Sequence, residues 1–159
     1  MKITQIREKD GVEALSVLDF NLLIEKIKTE IKTRPVTGLR QALHFVLPGE
    51  SCSFAGKLPK VIPAAVFGRV NGVKRMKVYN GIVELTVGPL AGKVEVDLVK
   101  KKAAELPQTM FAYMGASGNS VKIWTLFTRP DGTLPETQEE AEIFQAHSYR
   151  VAVKCYQPQ

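Results

Sequence analysis

The spacing of hydrophobic positions changes character near residue 61. Before that point, apolar residues recur at helical spacing, at Phe20, Ile24, Ile27 and Ile31. Asp19 can cap a helix over residues 20–33, and a second short helix is predicted over 39–46. Residues 1–50 are therefore expected to be a mostly helical lead-in.

Beyond residue 61, short alternating segments separated by turn signals replace the helical pattern. Strands are predicted over 61–67, 73–79, 82–87, 109–114 and 121–128, and helices over 92–106 and 137–155. Asn71-Gly72 is a hairpin turn signal, and Pro63 marks the first strand as an edge or a bent one. Thr137 with Glu140 forms a capping box.

From residue 82 the predicted order is strand, helix, strand, strand, helix, which is the beginning of a split β-α-β-β-α-β unit. The sequence thus predicts an α+β domain over 1–159, with a helical lead-in, a β-hairpin and a ferredoxin-like β-α-β-β-α half-sheet. The half-sheet lacks its last strand, which is expected beyond Gln159. Unless the 61–79 hairpin covers it, the edge of 82–87 stays open and would allow a homodimer.

Composition adds a preference for polyanions. The 159 residues carry 22 lysines and arginines against 16 acids, a net charge of +6, which favours nucleic acid as a partner. A solvated basic surface is the alternative. The charged amino terminus is not a signal peptide and no apolar run reaches membrane-spanning length, so we expect a cytoplasmic protein without a membrane partner. Cys52 and Cys155 fit no metal-ligand spacing.

Three segments resemble motifs of one known family. LPKVIPAAVF at 58–67 resembles its LPxxxxxxxF stretch, YNGIVEL at 79–85 its YSGLIVLDID strand, and PQTMFAYMGASGNSVKI at 107–123 its P…SPSGxGxK hairpin. The family is the VirE amino-terminal-like domain of bacterial mobile-element proteins. It is similar to the archaeo-eukaryotic primase-polymerase superfamily and often precedes a helicase-like domain.

The resemblance implies where catalytic acids would lie, and this chain lacks them. The family strand ends in Asp-x-Asp, which would hold two metal ions, but Thr86 and Gly88 occupy those positions. Glu84 shares their strand face and is the one candidate acid there, and the third acid is expected beyond residue 159. We therefore expect no metal, no cofactor and no catalysis; magnesium or manganese would be needed only if Glu84 served an active enzyme.

The resemblance also implies a phosphate cradle. Small residues and a lysine follow the 109–114 strand, namely Ser117, Gly118, Asn119, Ser120 and Lys122. A second basic run, Lys100, Lys101 and Lys102, could contact a nucleic-acid backbone. A plain turn and a solvated helix face are the respective alternatives. If both helices cover the Met114 face of the sheet, Phe111 and Tyr113 would be free to stack on bases.

The sequence therefore predicts a non-catalytic, nucleic-acid-associated domain of a mobile-element replication or mobilisation system, with single-stranded nucleic acid as the expected ligand. An active metal-dependent primase-polymerase fragment is one alternative. The other is a protein-interaction module that docks on a helicase-like partner.

Overall fold

The computed structural model describes residues 1–9, 11–28 and 60–156 of the chain. The strands in these ranges are β1 (Lys2–Lys9), β2 (Val12–Asp19), β3 (Lys60–Ile62), β4 (Ala65–Val70), β5 (Val73–Tyr79), β6 (Ile82–Val87), β7 (Thr109–Met114) and β8 (Val121–Leu126). The helices in the same ranges are α1 (Phe20–Lys28), α2 (Lys93–Ala104) and α3 (Gln138–Tyr156). The strands form three small antiparallel sheets, β2-β1-β3, β4-β5 and β6-β8-β7, so the fold is mixed α and β, as the α+β class requires.

The prediction of a helical lead-in is wrong for residues 2–19, which form a β-hairpin. β1 pairs antiparallel with β2 around a turn that contains Gly11 at φ 77°, a backbone conformation that glycine adopts without strain. β1 also pairs with β3 and is the middle strand of its sheet. Its consecutive buried residues are Ile3, Thr4, Gln5 and Ile6. The sequence reasoning missed the hairpin turn signal Asp10-Gly11, and the apolar residues of β1 do not alternate regularly.

α1 begins where the sequence predicted, directly after Asp19. The Asn21 N–H donates to Asp19 Oδ1 at 2.9 Å, which is the predicted cap. This bond and the nearby Lys2 ammonium lower the pKa of the Asp19 carboxyl. The end of the predicted first helix at 29–33, the predicted helix at 39–46 and the loop before residue 60 lie outside the described residues.

β4 and β5 form a two-stranded ribbon over residues 65–79, called the ribbon below. Its two-residue turn has Asn71 at φ 51° and Gly72 at φ 77°, as the Asn-Gly signal predicted. The predicted strand at 61–67 is split at Pro63, with β3 joining the amino-terminal sheet and β4 the ribbon.

The base of the ribbon is fixed on two sides. The buried Thr4 hydroxyl of β1 donates to the Ala65 carbonyl at 2.8 Å and accepts from the Phe67 N–H at 2.8 Å. On the other side, Tyr79 packs in a small core with Ala141 and Phe144 of α3.

Contacts continue outward from the base, since Phe67 and Met76 pack in the same small core and the Met76 N–H donates to Gln138 Oε1 at 3.3 Å. The ribbon is therefore held against the domain as far as Arg69, which donates to the Glu13 carbonyl, and its turn lies beyond that residue.

The central sheet β6-β8-β7 is covered on both faces. α2 and α3 pack on one face, where the buried cluster is Val83, Leu85, Val96, Ala103, Val121, Ile123 and Ala152. The amino-terminal hairpin and α1 pack on the other, where the cluster is Ile3, Leu18, Leu23, Ile82 and Trp124. The outer edge of β6 pairs with no strand of the described residues, and the ribbon forms a sheet of its own rather than covering that edge.

The helices of the central unit follow their sequence signals closely. α2 and α3 agree with the predicted ranges 92–106 and 137–155 to within two residues. Thr137 Oγ1 accepts from the Glu140 N–H at 3.3 Å, but the Glu140 carboxylate turns to Arg129 at 3.4 Å instead of closing the capping box. No helix in the described ranges combines the length and the apolarity that crossing a bilayer requires.

Candidate functional site

The candidate site lies on the face of the central sheet that is turned away from α2 and α3. Glu84 of β6 is directly opposite Trp124 of β8, and Thr86 is directly opposite Lys122. Tyr113 of β7 is opposite Lys122 on its other side. We call these five residues the polar cluster. The sequence had singled out Glu84, Thr86 and Lys122 separately, and the strand pairing brings them together.

The side chains of the polar cluster bind one another. Lys122 Nζ donates to Thr86 Oγ1 at 2.8 Å and lies 3.6 Å from Glu84 Oε1, while the other Glu84 oxygen accepts from Trp124 Nε1 at 2.7 Å. The Glu84 and Lys122 side chains are 27% and 32% exposed. The one carboxylate of the face is thus already neutralised by a cation and a hydrogen bond from the same sheet.

Tyr113 closes the inner side of the cluster. Burial raises the pKa of its phenol far above the usual range, and the negative charge of Glu84 raises this pKa further. The hydroxyl therefore remains protonated at neutral pH. It is a hydrogen-bonding group of the cluster rather than an acid or a base available for chemistry near pH 7.

The expectation of free aromatic side chains on this face is wrong. Both helices do cover the Met114 face, as the condition required. However, Phe20 of α1 lies 5.8 Å from Phe111 and 5.5 Å from Trp124 between ring centroids, and Trp124 is fully buried. The amino-terminal hairpin and α1 occupy the face that bases would need.

The position of the second motif acid is closed by the backbone. Gly88 has φ 154°, and a Cβ built on it would come within 3.0 Å of the Asn119 carbonyl oxygen and of Ser120 Cβ. An aspartate there would require the 117–120 turn to move. Among the described residues no group of three histidine, cysteine, aspartate or glutamate side chains could hold a metal ion.

The predicted phosphate cradle is a compact turn that packs on the β6–α2 connection. The Gly118 N–H donates to the Gly115 carbonyl at 3.0 Å, and the Ser117 hydroxyl donates to Asn119 Oδ1 at 2.5 Å. The Asn119 carbonyl accepts from the Leu90 N–H at 2.7 Å. Several polar groups of the turn are therefore already hydrogen-bonded within the turn or to the β6–α2 connection, and the Lys122 ammonium contacts Glu84 and Thr86.

The second predicted basic site is on the opposite side of the sheet. Lys100, Lys101 and Lys102 belong to α2, and Lys100 lies 4.0 Å from Asp97 of the same helix. Since α2 covers the Met114 face, these lysines and Lys122 do not form one surface.

The sequence reasoning missed the segment with the largest excess of basic over acidic residues, which contains the ribbon. Residues 60–81 contain five lysines and arginines and no aspartate or glutamate. Residues 82–156 contain eight basic and nine acidic residues, and residues 1–28 contain five of each. A count of charge by segment would have shown this, whereas the search for lysine runs pointed to α2.

The comparisons with known proteins give one family. The family model described as BT4734-like, N-terminal domain, matches residues 53–159, which include the ribbon, the central sheet and its two helices. The amino-terminal hairpin and α1, which cover the polar face, precede the matched range. No curated protein and no solved structure matches the chain significantly.

Proposed function

The chain belongs to the BT4734-like N-terminal domain family, and from that premise we propose that it is a non-catalytic domain that associates with nucleic acid, in the setting of mobile-element replication or mobilisation. The observation that carries the proposal is the place of the Lys122 ammonium, which lies against Glu84 and Thr86 on the strand where the resemblance would put a metal-binding carboxylate pair.

The polar cluster supports the absence of catalysis on electrostatic grounds. A divalent cation beside Glu84 would have to displace the Lys122 ammonium or bear its repulsion at short range. Magnesium also needs several hard oxygen ligands, and Glu84 would supply one carboxylate where the family pattern has more. An aspartate at Gly88 would have a strained φ and would need the 117–120 turn to shift, because its Cβ would lie 3.0 Å from that turn.

The net charge of +6 supports a polyanionic partner, because cations released from nucleic acid drive the binding of basic proteins. The acids are not distributed to cancel the basic residues locally, since residues 60–81 carry none.

We also propose that the central sheet unit (residues 82–156) is a ferredoxin-like half-sheet. β6, α2, β7, β8 and α3 follow one another in the order of a ferredoxin-like half-sheet, and β8 lies between β6 and β7 as a split β-α-β arrangement requires. We infer a VirE-like, primase-polymerase-derived ancestry from this order and from the three sequence motifs. A cytoplasmic location remains our expectation.

Two measurements test the proposal together. The first is nucleotide incorporation on a primed template with magnesium and then manganese, for the protein and for Glu84→Gln. We expect no incorporation by either, and metal-dependent synthesis that Glu84→Gln abolishes would establish the enzyme instead. The second is fluorescence anisotropy with labelled oligonucleotides at low salt. We expect binding that weakens steeply as salt rises, and no binding to any nucleic acid would refute the proposal.

One observation favours docking on a helicase-like partner as a second candidate function. Val94 and Leu98, one turn apart on α2, are 87% and 50% exposed, so they form a small apolar patch that a partner protein could cover. A stable complex that Val94→Ser with Leu98→Ser disrupts, in a protein without nucleic-acid affinity, would replace the proposal by this alternative.

A further inference from the structure

We propose that the ribbon enters the major groove of duplex DNA and is the principal DNA-contacting element of the chain. The inference rests on the nucleic-acid association proposed above and adds the contacting element and the form of the ligand. It also departs from the expectation of a single-stranded ligand.

The ribbon carries an unbalanced positive charge. Arg69, Lys74, Arg75 and Lys77 are its four cations, and all are exposed. None of them is in an ion pair with a carboxylate of the described residues, where every ion pair involves other lysines and arginines. The Arg69 guanidinium instead donates to the backbone carbonyls of Gly72 at 3.3 Å and Glu13 at 3.2 Å, which hold it in place without cancelling its charge.

Repulsion between these cations also lowers the stability of the ribbon itself. Arg69 is directly opposite Lys74 in the antiparallel pair. Like charges in directly opposite positions are destabilising, and a two-stranded ribbon has little core to offset the cost. Phosphate groups beside these side chains would turn the repulsion into attraction.

The cations are distributed over both faces of the ribbon. Arg69 and Lys74 share the face of Phe67, and Lys74 Nζ lies 5.4 Å from the centre of the Phe67 ring. Arg75 is opposite Gly68 on the other face, and the Lys77 side chain lies over Gly68 as well. A ligand with phosphates on one side only would leave half of the cations unused.

The major groove of B-form DNA has the matching shape. It is about 12 Å wide, admits a two-stranded ribbon and has phosphates along both walls. The ribbon strands are about 4.8 Å apart, so the backbone fits with room for long side chains on each side. The deep, narrow major groove of A-form RNA excludes such an element.

A single strand is a poorer fit for the same surface. Sequence-tolerant binding of single strands relies on aromatic side chains that stack on the bases. In the central sheet Trp124 is fully buried and Phe111 packs against Phe20, while Phe67 of the ribbon lies under Lys74. Tyr79 is at the anchored base, where it packs on α3.

The test compares three multiple variants of the full chain by anisotropy on one duplex over a range of salt. The ribbon variant combines Arg69→Gln, Lys74→Gln, Arg75→Gln and Lys77→Gln. The matched control removes four exposed lysines elsewhere, by Lys26→Gln, Lys28→Gln, Lys93→Gln and Lys154→Gln. The rival variant removes the run on α2, by Lys100→Gln, Lys101→Gln and Lys102→Gln. Circular dichroism and thermal unfolding establish that each variant is folded.

We expect the ribbon variant to bind DNA at least about tenfold more weakly. The slope of log affinity against log salt should become less steep by about three to four, because four cations are removed. The control and rival variants should change affinity much less. Arg69→Lys with Arg75→Lys keeps the charge and should retain binding, which separates loss of charge from loss of fold. Competition should rank duplex DNA above single-stranded DNA and above duplex RNA.

The outcomes separate this inference from the proposed function. If the protein binds DNA and the ribbon variant binds like the wild type, or the rival variant loses as much, the ribbon is not the principal contact and the inference fails while the proposed function stands. A preference for single strands overturns the duplex assignment. If the protein binds no nucleic acid at all, the proposed function fails and the inference fails with it.

Discussion

The ribbon and the central sheet unit (residues 82–156) differ in how each treats its polar side chains. In the sheet unit, Lys122 binds Glu84 and Thr86, Trp124 binds Glu84, and basic and acidic residues nearly balance. In the ribbon, four cations project from both faces without a carboxylate partner among the described residues. The strand on which catalytic acids were expected has polar side chains that bind one another, whereas the ribbon cations have no carboxylate partner among the described residues.

This difference indicates which region meets a ligand. Groups that already neutralise one another gain little from a new partner, because each new contact costs an existing one. Unpaired, exposed cations gain from any phosphate that approaches and lose only water and counterions. We therefore interpret the polar cluster as a structural feature that joins the three strands of the central sheet and supports the Trp124 core, and we propose recognition at the ribbon.

The largest difference in stability between substitutions in the two regions is expected at Trp124. It is fully buried between Phe20, Phe111 and Tyr113, so Trp124→Ala should lower the free energy of unfolding by about 3–5 kcal/mol. Val78 on the ribbon is 54% exposed, and Val78→Ala should change the free energy of unfolding by less than about 0.5 kcal/mol. Both variants are unfolded with urea. Tryptophan fluorescence follows the unfolding of Val78→Ala, and circular dichroism follows that of Trp124→Ala, which lacks the single tryptophan of the chain. Equal effects at the two positions would contradict the assignment of the core.

Alkaline unfolding should reveal one buried phenol in each region. Burial raises the pKa of Tyr79 to about 12 and that of Tyr113 further, and both exceed the value near 10 of an unfolded chain. The stabilisation from a raised pKa is complete below pH 10 and is lost as pH rises through the folded-state value. For Tyr113 the loss is at most about 1.4 kcal/mol per pH unit.

The measurement is urea unfolding at a series of pH values above 9. Tyr113→Phe should flatten the decline in stability more than Tyr79→Phe, since Tyr113 also lies near the Glu84 charge. Stability that stays constant to pH 12 would show that neither phenol is held protonated by the fold.

Only a modest loss of stability is expected from Lys122. Lys122→Met removes a partly exposed ion pair with Glu84 and a hydrogen bond to Thr86, so it should lower the free energy of unfolding by about 1 kcal/mol or less. DNA affinity should change by less than about twofold, because Lys122 is engaged within the sheet. Anisotropy checks this beside Arg75→Gln, and a larger loss from Lys122→Met would return recognition to the polar cluster.

Much of the carboxyl-terminal fold could be predicted because its signals are local. β5, β6 and β7 have the predicted bounds, since each lies between turn residues such as Asn71-Gly72 and shows strand composition. The cap at Asp19 and the Thr137 N-cap follow from the same kind of local chemistry. Such features depend on neighbouring residues, which a single sequence shows.

The failures have two origins. The hairpin of β1 and β2 has a local signal, Asp10-Gly11, that the sequence reasoning missed, and the other failures come from contacts between distant segments. β1 lies between β2 and β3, and Thr4 is buried because it binds the ribbon at Ala65 and Phe67, so the residues of β1 do not alternate. The covering of Phe111 and Trp124 by Phe20 likewise depends on where residues 1–28 fold back. The meeting of Glu84, Thr86 and Lys122 required the strand register, which the sequence did not supply.

A nuclear magnetic resonance titration of the ¹⁵N-labelled protein with a short DNA duplex tests the assignment of recognition most directly. The account predicts that backbone amide shifts concentrate in residues 68–77 of the ribbon, while the amides of β8 and of Thr86 stay unchanged. Amide shift changes centred on Lys122 and the 117–120 turn, without changes in the ribbon, would contradict the assignment of recognition to the ribbon.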